Sequence, residues 1–242
     1  LARRSDGRPR HEQIAAVIRA QIMAGDLPPG AQLPSTPNLV AQYSAANATI
    51  QSALAALKEE GFLHSQVGKG VYVRDRRPLV IDVAAYFAPS QGGYSYQLFD
   101  VTEVEPPAEV AEALSLAEDD STILRHRLLL HDGDPVELAW SYYPTSITRD
   151  TELSKRKRIT GGAPRVLADL GYPQHDFLDR LSVRMPTTEE VEILELPGNV
   201  PIIRQLRVVR SVAERPVEAS ILIKGGHLHE LRYHQSVQPE AG

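Results

Sequence analysis

Cysteine is missing from the 242 residues. That excludes a disulfide framework, a thiolate nucleophile and any zinc site built on Cys. No apolar run reaches the roughly 20 residues of a membrane-spanning helix, and the opening LARRSDGRPR has none of the layout of a signal peptide. The expectation is a cytoplasmic chain with no membrane partner. Internal repeats and low-complexity tracts are also lacking. Catalytic signatures fail one by one. Gly68-Lys69 is followed by Gly70 rather than the Ser or Thr of a phosphate-binding loop. No Gly-x-Ser-x-Gly elbow occurs, and no spacing singles out an acid–base pair among the carboxylates and eight histidines. His227, His229 and His234 lie near one another near the end of the chain, where such a cluster is more often incidental than metal-binding. No enzyme activity, cofactor or metal is expected.

What is present is the composition of a globular protein, with 42% hydrophobic and 24% charged residues, long enough for two ordinary domains. The net charge of −5 is unevenly spread. Residues 1–77 carry ten Lys/Arg against six Asp/Glu, and the rest carry sixteen against twenty-five. A basic first part joined to an acidic second part points to the first as the part that meets a polyanion.

Ile14, Val17, Ile18 and Ile22 recur at helical spacing between His11 and Ala24, and Gly25 stops the helix. A second helix is expected after Pro34, with Ser35 as N-cap and Pro37 tolerated in the first turn. After Ser44-Ala45-Ala46 a third helix runs from about Asn47 to Glu60, burying Ile50, Ala53, Leu54 and Leu57. Two helices joined by so short a turn form a helix-turn-helix. The β-prone runs Phe62–Val67 and Val71–Arg74 flank Gly68-Lys69-Gly70 and read as a hairpin wing. Lys69 stands at its tip, within reach of a phosphate or the minor groove, and Gly70 lets bare backbone approach a sugar-phosphate strand.

Pro29-Gly30, Leu33-Pro34-Ser35, Tyr43, Thr49, Ala53-Leu54, Gly61 and Gly68-Lys69-Gly70 stand in an order that resembles the winged helix of GntR-type bacterial repressors. The resemblance implies double-stranded DNA as partner. Most of the family carries Glu-Arg after the Pro-Ser, where this chain has Thr36 and Pro37. The family's Ser-Arg and later Arg of the recognition helix are replaced by Ala46, Asn47 and Gln51. Asn and Gln pair both edges of adenine, whereas Arg favours guanine. Asn47 and Gln51, one turn apart, are therefore the expected base readers. Ser35 and Thr49 are expected on phosphates, Thr36 is a further candidate DNA contact, and Arg10, Lys69 and neighbouring arginines supply charge. The competing reading is of solvated polar positions on an ordinary helix.

A boundary is expected within Asp75–Pro78, giving domains 1–77 and 78–242. Beyond it, a loop over Ala88–Gly93 precedes mixed elements. Strands are expected at Tyr94–Val104, Thr122–His131, Val136–Tyr143, Ile202–Val212 and Val217–Ile223. Helices are expected from Pro106-Pro107 to Leu116, over Pro164–Leu170, and from Thr187 with a Thr187/Glu190 capping box. This is an antiparallel sheet with helices, an α+β layout. Val104-Glu105-Pro106-Pro107, Arg125-His126-Arg127, Asp132–Val136, Ser141–Pro144, Leu170-Gly171-Tyr172 and Arg215–Glu218 resemble, in order, the UTRA effector domain of HutC-type members of the same family, and the Pro34-Ser35-Thr36-Pro37 and Asn47-Ala48-Thr49 variants look most like actinobacterial members. That resemblance implies the chorismate lyase-like fold and a small-molecule effector.

Arg125 and Arg127 share one face of a strand with Ile123 and Leu129. Guanidiniums on an apolar face need an anionic partner, either Glu137 or Glu218 from within or an anionic ligand. A structural ion pair or solvated edge strand is the alternative. Tyr143, Ser141 and Ser220 are the candidate polar contacts. Lys155-Arg156-Lys157-Arg158 reads as a solvated loop. The expectation is a homodimeric, ligand-responsive transcription regulator, most simply a repressor. A constitutive DNA-binding protein (of plasmid-transfer genes, for example) and a chorismate lyase-like enzyme are the rivals.

Overall fold

A computed structural model describes residues 6–75, 79–82, 93–197, 200–227 and 229–234. The boundary residues Arg76 to Pro78, the expected loop up to Gly92, and Arg3 and Arg4 lie outside the described residues. The chain divides into two compact units, Leu1–Pro78 and Leu79–Gly242.

In the first unit α1 (Arg10–Ala24), α2 (Thr36–Tyr43) and α3 (Asn47–Glu59) precede the antiparallel pair β1 (Leu63–Gln66) and β2 (Gly70–Val73). Ile14, Ile18, Leu39, Ile50, Leu54, Leu57, Leu63 and Val73 form its core. α1 ends at Gly25, whose φ of 84° lets its N–H reach the Ile22 carbonyl. Val17, expected in the buried stripe, is 47% exposed, because α1 packs mainly through Ile14, Ala15 and Ile18. Ser35 occupies the N-cap position of α2, but its side chain accepts no hydrogen bond there. Ala46 precedes α3, also without a side-chain cap, and Asn47 is the first helical residue rather than a cap. Arg19 and Glu60 close the unit with a two-pronged ion pair at 2.6–2.7 Å.

The second unit opens on the short strand β3 (Leu79–Asp82). Six longer strands follow in the chain: β4 (Tyr94–Val104), β5 (Thr122–His131), β6 (Asp134–Pro144), β7 (Asp176–Arg184), β8 (Ile202–Arg210) and β9 (Pro216–Gly225). They form one antiparallel sheet in the order β4-β5-β6-β9-β8-β7. α4 (Ala108–Leu114) and α7 (Thr188–Ile193) cover the face carrying Trp140, Tyr142, Ala219 and Ile221. α5 (Thr145–Thr148) and α6 (Gly162–Asp169) pack on Ile123, Tyr143 and Val209, on the opposite face. α7 carries the expected capping box, in which Thr187 N–H donates to Glu190 at 2.8 Å.

α5 is an addition to the expected helices, and three further features depart from the sequence reading. α6 starts at Gly162, two residues early, since Pro164 is accommodated within the first turn. β7 is an addition to the expected strands. It mixes apolar and charged residues on both faces, with Leu178, Leu181 and Val183 all exposed, so no alternation announces it. Finally, β3 pairs in parallel with a last short strand, β10 (His229–Arg232), joining segments that lie far apart in sequence.

Candidate nucleic-acid interface and effector face

On α3 the buried stripe of Ile50, Ala53, Leu54 and Leu57 fixes which face is left to solvent. That outer face presents Asn47, Ala48, Gln51, Ser52 and Ala55, all exposed, while Thr49 is half-buried. Gln51 is not loose: its Nε2 donates to Thr36 Oγ1 at 3.1 Å, tying α3 to the start of α2. Arg10 donates to the Tyr43 carbonyl at 3.0 Å and to Gln13, so it also satisfies the C-terminal end of α2. Ser35 lies exposed beside Thr36.

The wing is held from behind. Gln32 Nε2 donates to the Lys69 carbonyl at 2.7 Å, and Leu33 N–H donates to the Val71 carbonyl. Gly70 has a φ of 124°, and a Cβ there would lie 2.9 Å from Gln32 Nε2. The positive φ favours glycine at position 70, and a side chain there would in addition push Gln32 off its grip on the hairpin. The Lys69 side chain stands exposed at the tip. No charged residue or histidine occurs from Leu27 to Leu57, a stretch that covers α2 and most of α3.

In the second unit a run of polar side chains is buried on the face opposite Trp140 and Tyr142. Cross-strand register aligns Arg125, Ser141, Ser220, Arg207 and Asp179 across five strands. Arg127 donates to Ser141 Oγ at 2.7 Å; Ser141 and Ser220 hydroxyls are 2.7 Å apart; Ser220 donates to Glu218 at 2.7 Å. One hydroxyl holds one proton, so the chain runs in a single direction, from Arg127 through Ser141 and Ser220 to the Glu218 carboxylate. Tyr143 is buried against Ile123 and Val209 and belongs to the core of this face.

Neither Glu137 nor Glu218 pairs with Arg125. Its guanidinium instead donates to the carbonyls of Leu153, Lys155 and Lys157 at 2.8–3.0 Å, and burial pulls its pKa down. A buried cation thus anchors a loop by its backbone. The same contacts correct the reading of residues 155–158 as simply solvated: their side chains are exposed, but Arg125 grips the backbone, and Arg156 donates to the Phe99 carbonyl at 2.7 Å. Glu137 pairs with Lys224 at 2.7 Å, and Lys224 also reaches Gln205. Arg207 forms a two-pronged pair with Asp179 at 2.7 Å, with side-chain exposures of 1% and 5%. Tyr233 donates to Asp179; burial first, and the Asp179 charge next, push its pKa up to about 12. Sequence reasoning misses Arg207, Asp179, Gln205 and Lys224 as site residues. Arg207 and Gln205 nevertheless sit two apart in a β-prone run, the spacing that draws attention to Arg125 and Arg127.

His229 Nδ1 lies 2.8 Å from the Gly225 carbonyl. Among the described residues no group of three His or carboxylate side chains is placed to hold a metal, and no helix is long and apolar enough to cross a membrane.

The first unit is thus a winged helix-turn-helix and the second a six-stranded sheet with a polar face. Residues 10–73 match the bacterial regulatory proteins of the gntR family, and residues 90–228 match the UTRA domain. An uncharacterized HTH-type transcriptional regulator of Streptomyces coelicolor is 30% identical, over 90% of this chain and 89% of that protein. The histidine utilization repressor of Pseudomonas putida is 26% identical over 92% and 90%. The crystal structure of PhnF from Mycobacterium smegmatis superposes with a TM-score of 0.55 at 18% identity, covering 93% of this chain and all of that one. The chain belongs to the GntR family, in its HutC-type branch with a UTRA domain, and is a transcription regulator rather than an enzyme.

Proposed function

We propose that residues 1–77 bind operator DNA and that residues 78–242 dimerise and hold a small effector, making the protein a cytoplasmic repressor that grips a two-fold operator as a homodimer. A two-fold protein suits a two-fold site. Arg10, Ser35, Thr36, Asn47, Thr49, Gln51, Lys69 and Gly70 form the DNA side. Arg127, Ser141, Ser220 and Glu218 form the centre of the effector seat, with Arg125, Glu137 and Tyr143 around it. The observation that carries this reading is the directed chain of hydrogen bonds from the half-buried Arg127 through the buried Ser141 and Ser220 to the buried Glu218 on one sheet face. Such a chain offers a planar cationic fork at one end and a carboxylate at the other. An anionic effector docking on the Arg127 fork loosens the operator complex by respacing the two winged helices, for which a coupling of about 1–3 kcal/mol is typical.

The test is a thermal-shift screen of small carboxylates and phosphates, followed by mobility shift on the protein's own promoter fragment. The expected result is at least one anion that raises the melting temperature and weakens DNA retention, with Ser141→Ala abolishing both responses. Retention unaffected by every anion that binds would overturn the effector reading. A second reading is favoured by one observation: Lys224, Arg207 and Arg125 already have internal partners, so this face is electrostatically satisfied without a ligand. On that reading the protein represses constitutively.

A further inference from the structure

The helix-turn-helix is neutral. From Leu27 to Leu57, which spans α2, the turn and nearly all of α3, there is no charged side chain. The outward stripe of α3 is two amides, one hydroxyl and two methyl groups: Asn47, Gln51, Ser52, Ala48 and Ala55. Within the first unit, Arg8 is paired with Asp6 and Arg19 with Glu60. Among the described residues of that unit, the Lys and Arg side chains without a carboxylate partner are Arg10, Lys58, Lys69 and Arg74, and all stand outside the neutral stretch.

Resting on the DNA-binding reading above, we infer that this module separates two tasks that share side chains when arginine reads bases: α3 reads A·T pairs through neutral amides and methyls, and cations outside residues 27–57 supply all the salt-dependent attraction. An amide pairs N6 and N7 of adenine, and an alanine methyl packs on the methyl of thymine. Neither releases a counterion, whereas each phosphate-neutralising cation contributes about 0.9 to the slope of log K against log salt. Thr36 is a positioning residue. By accepting from one N–H of Gln51 at 3.1 Å, it fixes which way the amide faces and leaves Oε1 and the second N–H as an oriented acceptor–donor pair.

The experiment selects duplexes from a randomised pool with the full chain, then measures affinity for the selected and a scrambled fragment across salt. Each variant is first shown to melt with the wild type. The selected half-site is expected to carry A·T pairs at the positions that Asn47 and Gln51 govern. Asn47→Ala and Gln51→Ala each lower discrimination about tenfold with the salt slope unchanged. Thr36→Val, which keeps the shape and removes the acceptor, relaxes preference only at the position read by Gln51. Lys69→Ala flattens the slope by about 0.9 per half-site and leaves discrimination intact. Asn47→Arg turns one position from A·T to G·C and steepens the slope by a similar amount. A guanine-based consensus for the wild type, or a slope that changes with Gln51→Ala while discrimination does not, overturns the inference and leaves DNA binding standing. No enriched sequence and no salt-sensitive retention on any fragment overturns the DNA-binding reading, and this inference with it.

Discussion

The two units treat polar side chains in opposite ways. In the helix-turn-helix, the groups proposed for recognition are neutral and exposed, and Gln51 is tied back only through its hydrogen bond to Thr36. In the second unit, the charged groups of the polar face are buried, each locked to a neighbour: Arg207 to Asp179, Lys224 to Glu137, Arg125 to three carbonyls. The difference follows from the solvent each face keeps. An exposed amide costs nothing to hold ready, whereas a buried charge must be neutralised at once or it destabilises the fold. Recognition and stability are therefore separable in the first unit and entangled in the second.

The sharpest way to break that contrast is Asp179→Ala. It leaves the Arg207 guanidinium buried without its carboxylate, and the second unit is expected to lose about 3–5 kcal/mol in chemical denaturation. A loss no larger than that of a surface change would mean that water enters this face and the charges are not truly locked. Ser220→Ala removes the middle of the hydroxyl chain and takes from Glu218 its serine donor, for an expected loss of about 1–3 kcal/mol.

Acid sharpens the comparison further. Glu103, Glu152, Asp176 and Glu190 of the second unit are all held below the ordinary carboxylate range. At Asp176 the main cause is the Arg210 hydrogen bond; at Glu190 burial opposes the shift, and the Arg184 pair and the Thr187 cap together outweigh it. In the described first unit the carboxylate shifted in this way is Asp6, lowered to about 2 by Arg8. A carboxylate with a depressed folded pKa contributes stability above its unfolded value of about 4 and loses it as pH falls toward the folded value. Melting followed from about pH 5 down to about 2 is therefore expected to destabilise the second unit more steeply than the first. Parallel decline of both would remove the electrostatic distinction between them. The smallest effect belongs to Asn47→Ala and Gln51→Ala, which are expected to shift stability by no more than about 0.5 kcal/mol. A larger loss would show that these amides serve the fold.

Much of the first unit is legible because its contacts are local. Ile50, Ala53, Leu54 and Leu57 announce their helix by spacing, and Gly68-Lys69-Gly70 announces the wing. The same reading places five of the six sheet strands. It misses β7, whose side chains alternate with no consistent face, and the parallel pair β3–β10, whose partners lie at opposite ends of the second unit in sequence. Arg125 is correctly marked as a buried cation in need of partners. The partners themselves are misjudged, because carbonyls are invisible to a search for opposite charge.

The sequence by itself determined the order of most of the elements, the absence of thiol chemistry and the lack of charge from Leu27 to Leu57, since each depends on residue type and short-range spacing alone. Tertiary structure decided which charges neutralise one another. Register across the sheet brings Arg207 to Asp179 and Lys224 to Glu137, and it sets two serine hydroxyls end to end between Arg127 and Glu218. Electrostatic pairing depends on distance in space, and strands remote in sequence acquire that distance only when the sheet closes.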